Sequence, residues 1–159
     1  MVIKSEVGML VGDAYNPNTM KISMYASLSD ITELLSRTGA SDIMVVDKEG
    51  YLVGVASEGD LIRAVIPEPD EIVKSDLPLL TGFEIMEEKG REIRELMVKD
   101  IMVPTPITVT EEDALISAAQ IMLTRMIRRL PVVKNGKLIG SLSRADVCKA
   151  VLGENLEEL

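Results

Sequence analysis

The 159-residue chain has no histidine, no tryptophan, one phenylalanine and one cysteine. Without histidine, the commonest general base and the commonest transition-metal ligand are both missing. A zinc site built from Cys148 and carboxylates alone would be a poor donor set, so no metal is expected. One cysteine excludes an intrachain disulfide framework, which points to a reducing cytoplasm. No apolar run approaches the roughly 18–20 residues that span a bilayer. The opening MVIKSEVGML has neither the long apolar stretch nor the small-residue cleavage site of a signal peptide. No membrane partner is expected. Basic excess is lacking too: the net charge of −9 argues against general binding to nucleic-acid phosphates. Aliphatic residues are abundant. Apolar content of 47% with 3% aromatic residues implies a core of Val, Ile, Leu, Met and Ala. The length suits one medium domain or two small halves that share a core.

The chain repeats itself. GVASEGD, from Gly54, and GSLSRAD, from Gly140, carry Gly, Ser and Asp at the same spacing, 86 residues apart. From Gly50 onward that offset also pairs Leu52 with Leu138, Ala64 with Ala150 and Val65 with Val151. Upstream the offset is 87, because the turn DKEG is one residue longer than KNG. There it pairs Val45 and Val46 with Val132 and Val133, Leu28 with Leu115, Ile22 with Val109, Pro17 with Pro104 and Asp13 with Asp100. A register held over such a length, with its one slip at a turn, marks two copies of a single unit.

Each copy reads as β-α-β-β-α. A short extended piece (MKIS, ITVT) precedes a helix with apolar residues at i, i+3 and i+4. In the first copy these are Leu28, Ile31, Leu34 and Leu35. The second copy's helix is expected from about Glu111 to Arg125. Two β-rich runs follow, IMVVD/YLVGVA and LPVVK/KLIGSL, joined by turns of which Asn-Gly is a strong hairpin signal. A helix after Ser57 or Ser143 closes the unit. One such unit leaves an apolar sheet face open, and the other copy is its natural cover. The fold class is therefore α/β. The expected organisation is a first repeat at 11–66, an acidic, helical linker at 67–95 and a second repeat at 96–153. Within the linker a helix is expected over Glu84–Met97, interrupted at Gly90. It reads either as a solvated connector or as a docking surface for a partner or a second subunit.

Ser-x-x-Asp at a helix start has an ordinary explanation: serine caps free N–H groups, and aspartate suits the positive end of the helix dipole. The same geometry offers more. A carboxylate at a strand-to-helix junction can accept two hydrogen bonds from a vicinal diol, such as the 2′ and 3′ hydroxyls of a ribose. Gly54 and Gly140 remove a side chain and so let a planar base approach the backbone closely. Charge sharpens the contrast between the copies. Residues 125–149 hold Arg125, Arg128, Arg129, Lys134, Lys137, Arg144 and Lys149 against Asp146 alone, a local +6 that leaves −15 elsewhere. Such a cluster beside a ribose carboxylate reads as an anion site, with solvated surface charge as the alternative. Arg128 and Arg129 stand directly before LPVV, where the first copy has Ser41 and Asp42. An aspartate there repels phosphate, so the copies are not expected to bind alike.

With KDIMVPTPITVTEED at 99–113 and RRLPVVKNGKLIGSLSRADV at 128–147, the chain resembles the tandem CBS-domain, or Bateman, module over about residues 11–153. The resemblance implies two CBS repeats packed as a pseudo-twofold pair and an adenosine ligand (AMP, ADP, ATP or S-adenosylmethionine) in the cleft between them. Carried over residue by residue, Asp60 and Asp146 would hold ribose hydroxyls, with Ser57 and Ser143 nearby. Ile22 and Ile107, Thr108 and Val109 would line the adenine. Arg128 and Arg129, with Arg144 beside them, would take phosphate. The first copy departs from the family pattern: DAYNPNT stands where DIM is usual, and the basic pair is missing.

The resulting expectation is a regulatory adenosine-ligand sensor, homodimeric, without chemistry of its own, whose output needs a regulated partner protein. The alternative is a structural dimerisation module in which both motifs only cap helices. An enzyme ranks third, because no nucleophile–base pair and no Walker-type loop is present.

Overall fold

A computed structural model describes residues 4–153. In chain order its elements are α1 (Lys4–Val7), β1 (Lys21–Ser23), α2 (Leu28–Thr38), β2 (Asp42–Val46), β3 (Leu52–Ser57), α3 (Glu58–Val65) and α4 (Pro69–Ile72). They continue with α5 (Pro78–Ile93), β4 (Val103–Pro104), α6 (Leu115–Thr124), β5 (Arg129–Lys134), β6 (Lys137–Ser143) and α7 (Arg144–Leu152). Single 3-10 turns at Val11–Asp13 and Val98–Asp100 stand at equivalent places in the two copies. The class is α/β, with two repeated units.

The backbone pairing repeats with the sequence. Strand β1 runs parallel to β2, with Ile22 opposite Val45. Val109 bridges Val132 in the same parallel sense, one offset further along. Strand β3 pairs antiparallel with β4, setting Val55 against Val103, and Asn16 bridges Ser141 likewise. The β5–β6 hairpin turns at Asn135 and Gly136, with φ of 53° and 82°. Those signs are what a tight two-residue turn demands and what Asn-Gly supplies without strain.

Compact units and contiguous copies do not coincide. Among the described residues, one unit takes those up to Met20, Lys48–Leu52 and those from Thr105 to Gly153; the other takes Lys21–Asp47 and Val53–Pro104. Each copy's opening stretch is thus built into the unit of the other copy. The 3-10 turn Val11–Asp13 packs its Val11 into a core with Val109, Leu115, Ala118, Met122, Leu130, Val132 and Leu142. Val98, its counterpart, packs with Leu28, Ile31, Leu35, Ile43, Val45 and Ala56. These aliphatic side chains are almost wholly removed from water. Each Val, Leu or Ile so buried contributes roughly 1.5–3 kcal/mol.

Two helices differ from expectation. Helix α6 begins at Leu115, four residues later than the pattern suggested, because Asp113 folds back to accept the Thr110 N–H at 2.8 Å and holds that stretch as a turn. The linker helix α5 starts at Pro78, whose missing N–H and fixed φ suit a first helical position, and it runs unbroken through Gly90. The Arg94 N–H donates to the Gly90 carbonyl at 3.2 Å. Nor is the segment a free connector: α5 packs on α3 and α4, and Lys89 is paired with Glu71 at 3.1 Å.

The two copies finish their first helices differently. Ser27 caps α2 and forms a box with Asp30, and Gly39 closes the helix in the left-handed conformation at φ 71°. At the matching places α6 has Ala114, which caps nothing, and Met126, held at φ 55°.

Candidate functional site

In the second copy, strand β6 delivers Ser143 to the N-cap of α7. The Asp146 N–H donates to Ser143 Oγ at 3.0 Å, and the Ser143 N–H donates to Asp146 Oδ2 at 2.8 Å. Asp146 Oδ1 takes no hydrogen bond among the described residues. Asp146 also lines a cavity of about 490 Å³ with Asp13, Ala14, Tyr15, Asn16, Pro17, Lys149 and Ala150. The Tyr15 hydroxyl donates to Glu111 Oε2 at 3.3 Å. Burial, and then the charge and hydrogen bond of Glu111, raise the Tyr15 pKa above its ordinary 10.0, so the ring is a neutral wall. One face of this unit therefore gathers a carboxylate with an open oxygen, an aromatic ring and an ammonium group.

The first copy has the same capping box with a different outcome. Ser57 donates from both its N–H (2.9 Å) and its hydroxyl (3.0 Å) to Asp60 Oδ2, while Arg63 pairs with Oδ1 at 2.6 Å. The Asp60 side chain is only 8% exposed against 72% for Arg63. Both carboxylate oxygens are occupied. Lys149 stands where the second copy would have this arginine, and it makes no ion pair with Asp146.

The glycines turn out to serve the protein's own chain. A Cβ on Gly140 would lie 2.5 Å from both the Asn16 carbonyl oxygen and the Tyr15 ring. On Gly54 it would lie 2.6 Å from Met102 Sδ and 2.9 Å from the Val103 carbonyl oxygen. Neither position is open for a base to approach, because an antiparallel neighbour lies across it in each unit.

The basic residues divide. Arg129, opposite Ser143 at the start of β5, and Arg128, whose carbonyl accepts the Arg144 N–H at 3.2 Å, stand at the end of the sheet where α7 begins. In the other unit the Glu58 N–H bonds to the Ser41 carbonyl at 3.1 Å, so Ser41 and Asp42 hold the corresponding place. Arg144 is turned elsewhere. Its Nε donates to the Ile127 carbonyl and its Nη2 to the Met122 carbonyl, both at 3.1 Å. The guanidinium thus bonds one carbonyl in the last turn of α6, Met122, and one just past its end, Ile127, at the place where the first copy has a glycine cap. Of the expected adenine-lining residues, Val109 is buried in the core and tied to Pro131 and Val133 through its backbone, whereas Ile107 and Thr108 are exposed. Ile22 belongs to the other unit and is half-buried against that unit's own core.

Sequence reasoning missed Tyr15, Glu111 and Lys149. Tyr15 was legible only as a departure from a pattern, and Lys149 only as one charge in a basic run. Among the described residues no helix is long and apolar enough to cross a membrane, and no group of three or more His, Cys, Asp or Glu could hold a metal ion.

The CBS domain family model matches residues 11–67 and 98–153. The chloroplastic CBS domain-containing protein CBSX2 of Arabidopsis thaliana is 32% identical over 155 residues, 91% of this chain and 64% of that protein. An uncharacterised protein of Methanocaldococcus jannaschii is 30% identical over 138 residues, 79% of this chain and 81% of its own. The crystal structure of CBSX2 in complex with AMP superimposes with a TM-score of 0.70, at 32% identity, covering 91% of this chain and 97% of that one.

Proposed function

This chain belongs to the CBS-domain family, and from that premise we propose that it is a regulatory module that senses an adenosine nucleotide, AMP foremost, through its second copy. The observation that carries the reading is the open Oδ1 of Asp146, beside the Tyr15 ring and Lys149 on one cavity. There Asp146 accepts from the ribose hydroxyls, Ser143 keeps the carboxylate in place, and the Tyr15 ring packs against the nucleoside. Arg128 and Arg129, at the N-terminal end of the same helix, take the phosphate, with Lys149 as a further cation. Ile107 and Thr108 are free to contact the base, whereas Val109 acts through the core and Arg144 through the end of α6. AMP ranks first because CBSX2 binds it. The first copy, with Asp60 closed by Arg63 and with Ser41 and Asp42 in place of the arginines, binds no phosphorylated ligand.

The module performs no reaction. Its output is the ligand's differential affinity for two conformations, relayed to a regulated protein by a homodimer. The cytoplasmic placement rests on the lone Cys148, since a relative is named for the chloroplast. A second reading, a dimerisation module without ligand, is favoured by the completeness of both capping boxes, which account for Ser57, Asp60, Ser143 and Asp146 as helix caps.

A thermal-shift series with AMP, ADP, ATP, S-adenosylmethionine and GTP on the wild type, Asp146→Ala and Asp60→Ala separates the two. A rise with an adenosine ligand that Asp146→Ala loses and Asp60→Ala keeps supports the sensor. No rise with any of the five, on nucleotide-free protein, leaves the dimerisation module.

A further inference from the structure

The chain's one phenylalanine is in neither core. Phe83 stands 57% exposed on α5, and Leu79, one turn earlier, is 90% exposed, with Leu80 and Leu77 more than half exposed beside them. Positions 79, 80 and 83 share a helix face, since residues three and four apart are neighbours. The other face of α5 carries the buried Gly82 and the half-buried Ile85, Met86 and Ile93. The helix thus has two apolar stripes, and its own unit covers one. One turn beyond Leu80 and Phe83 stand Glu84 and Glu87, with Glu88 a further turn beyond Glu84; all three are exposed, as is Arg91 one turn beyond Glu87. The segment 67–95 as a whole holds nine acidic and four basic residues. Single exposed apolar residues are normal on a protein surface, but a cluster with a polar rim marks an interaction site.

We propose that the outer face of α5 docks a basic amphipathic helix of the regulated protein. That helix lays its apolar stripe on Leu79, Leu80 and Phe83 and its Lys and Arg residues against Glu84, Glu87 and Glu88. Charge selects this occupant: with three glutamates against the single Arg91 the rim is net acidic, so an anionic membrane is repelled and a neutral or acidic helix gives that excess no counter-charge. A second copy of this chain is the competing occupant, because its basic run at 125–149 adjoins the exposed Leu123 and Met126. The inference names the partner's chemistry and stands apart from the nucleotide reading, since α5 and Asp146 belong to different units.

The probe is an 18-residue fluorescein-labelled helix of Leu and Lys in amphipathic register, with a Leu and Glu version as control. Both are titrated by anisotropy against the wild type, Leu79→Ser/Phe83→Ser and Glu84→Lys/Glu87→Lys/Glu88→Lys. Each protein alone is sedimented at the same concentrations. The expected result is saturable binding of the Lys peptide to the wild type, at least tenfold weaker for each variant, and none for the Glu peptide. Three results overturn the proposal. One is no saturable binding; another is undiminished binding by Leu79→Ser/Phe83→Ser, which is charge attraction alone. The third is a wild-type oligomer that Leu79→Ser/Phe83→Ser dissolves, which gives the face to a second copy. Should the double variant melt early, Leu79→Gln, at the most exposed position, replaces it: a tenfold loss supports the docking face, and unchanged binding overturns it.

Discussion

The two copies of the Ser-x-x-Asp motif share a capping box and differ in what surrounds it. Asp60 is enclosed, with Ser57 on one oxygen and Arg63 on the other. Asp146 keeps one oxygen open on a cavity with Tyr15 and Lys149. The same local sequence therefore yields a finished structural cap in one place and a cap with spare capacity in the other. The deciding residues lie outside the motif, in the next helical turn and at the start of the preceding strand. The first helices of the copies divide in a similar way. Helix α2 carries its own end signals, Ser27 and Gly39, whereas α6 has neither and relies on Leu115, Ala118 and Met122 in the core and on Arg144 at its Met122 carbonyl.

The largest expected break in this comparison is in ligand binding. At 100 times its dissociation constant a ligand adds about 2.7 kcal/mol to stability. Asp146→Ala abolishes that gain in a thermal-shift assay, and Asp60→Ala keeps it, although each loses about 1 kcal/mol as a helix cap.

Next come the glycines. Gly140→Ala drives a methyl into the Asn16 carbonyl and the Tyr15 ring and costs about 1–3 kcal/mol by urea denaturation. Gly54→Ala costs less, because its nearest obstacle is the flexible Met102 side chain. Equal losses would show that the two strand crossings are packed with the same tightness.

Giving α6 the ends of α2 reverses the sign. Ala114→Ser supplies the missing cap and adds up to about 1 kcal/mol. Met126→Gly relieves a left-handed residue and adds a similar amount, roughly 1 kcal/mol. Thermal melting of each variant, and of the pair together, checks both; no gain from either would mean that Arg144 and core packing already hold that helix fully.

The smallest effect sharpens the comparison most. Arg63→Ala removes the ion pair between the exposed Arg63 and the enclosed Asp60, worth up to about 1 kcal/mol, and opens Asp60. With Ser41 and Asp42 still at the start of β2 in place of the arginines, the AMP-induced shift stays that of the wild type. A second bound AMP per chain, measured by calorimetry, would show that Arg63 alone had closed the first copy.

Much of the fold was legible in the sequence because its signals are local. The continuous β-rich runs DIMVV and RLPVV, the Asn-Gly turn and the Ser-x-x-Asp caps each fix a few residues by short-range sterics and hydrogen bonds. The helix start at Leu115 was less so, since a side-chain turn at Asp113 decides it. At the candidate site, Ser143 and Asp146 were singled out by motif, and Arg128 and Arg129 by charge. Tyr15 and Lys149 were not, because only folding brings DAYNP and the second turn of α7 onto one cavity. Arg144 illustrates the converse: a cation read from sequence as a phosphate ligand is spent on backbone carbonyls 17 and 22 residues away.

By itself the sequence determined that there are two copies, what elements each contains, and that their charges differ. The tertiary structure alone decided which opening stretch joins which sheet. Asn16 and Val103 occupy equivalent positions in their copies, so local pattern is nearly the same for either pairing. The choice falls to long-range contacts: Val11 buried among Val109 and Leu142, Val98 among Ile31 and Ala56, and glycine at both crossings where a side chain would not fit.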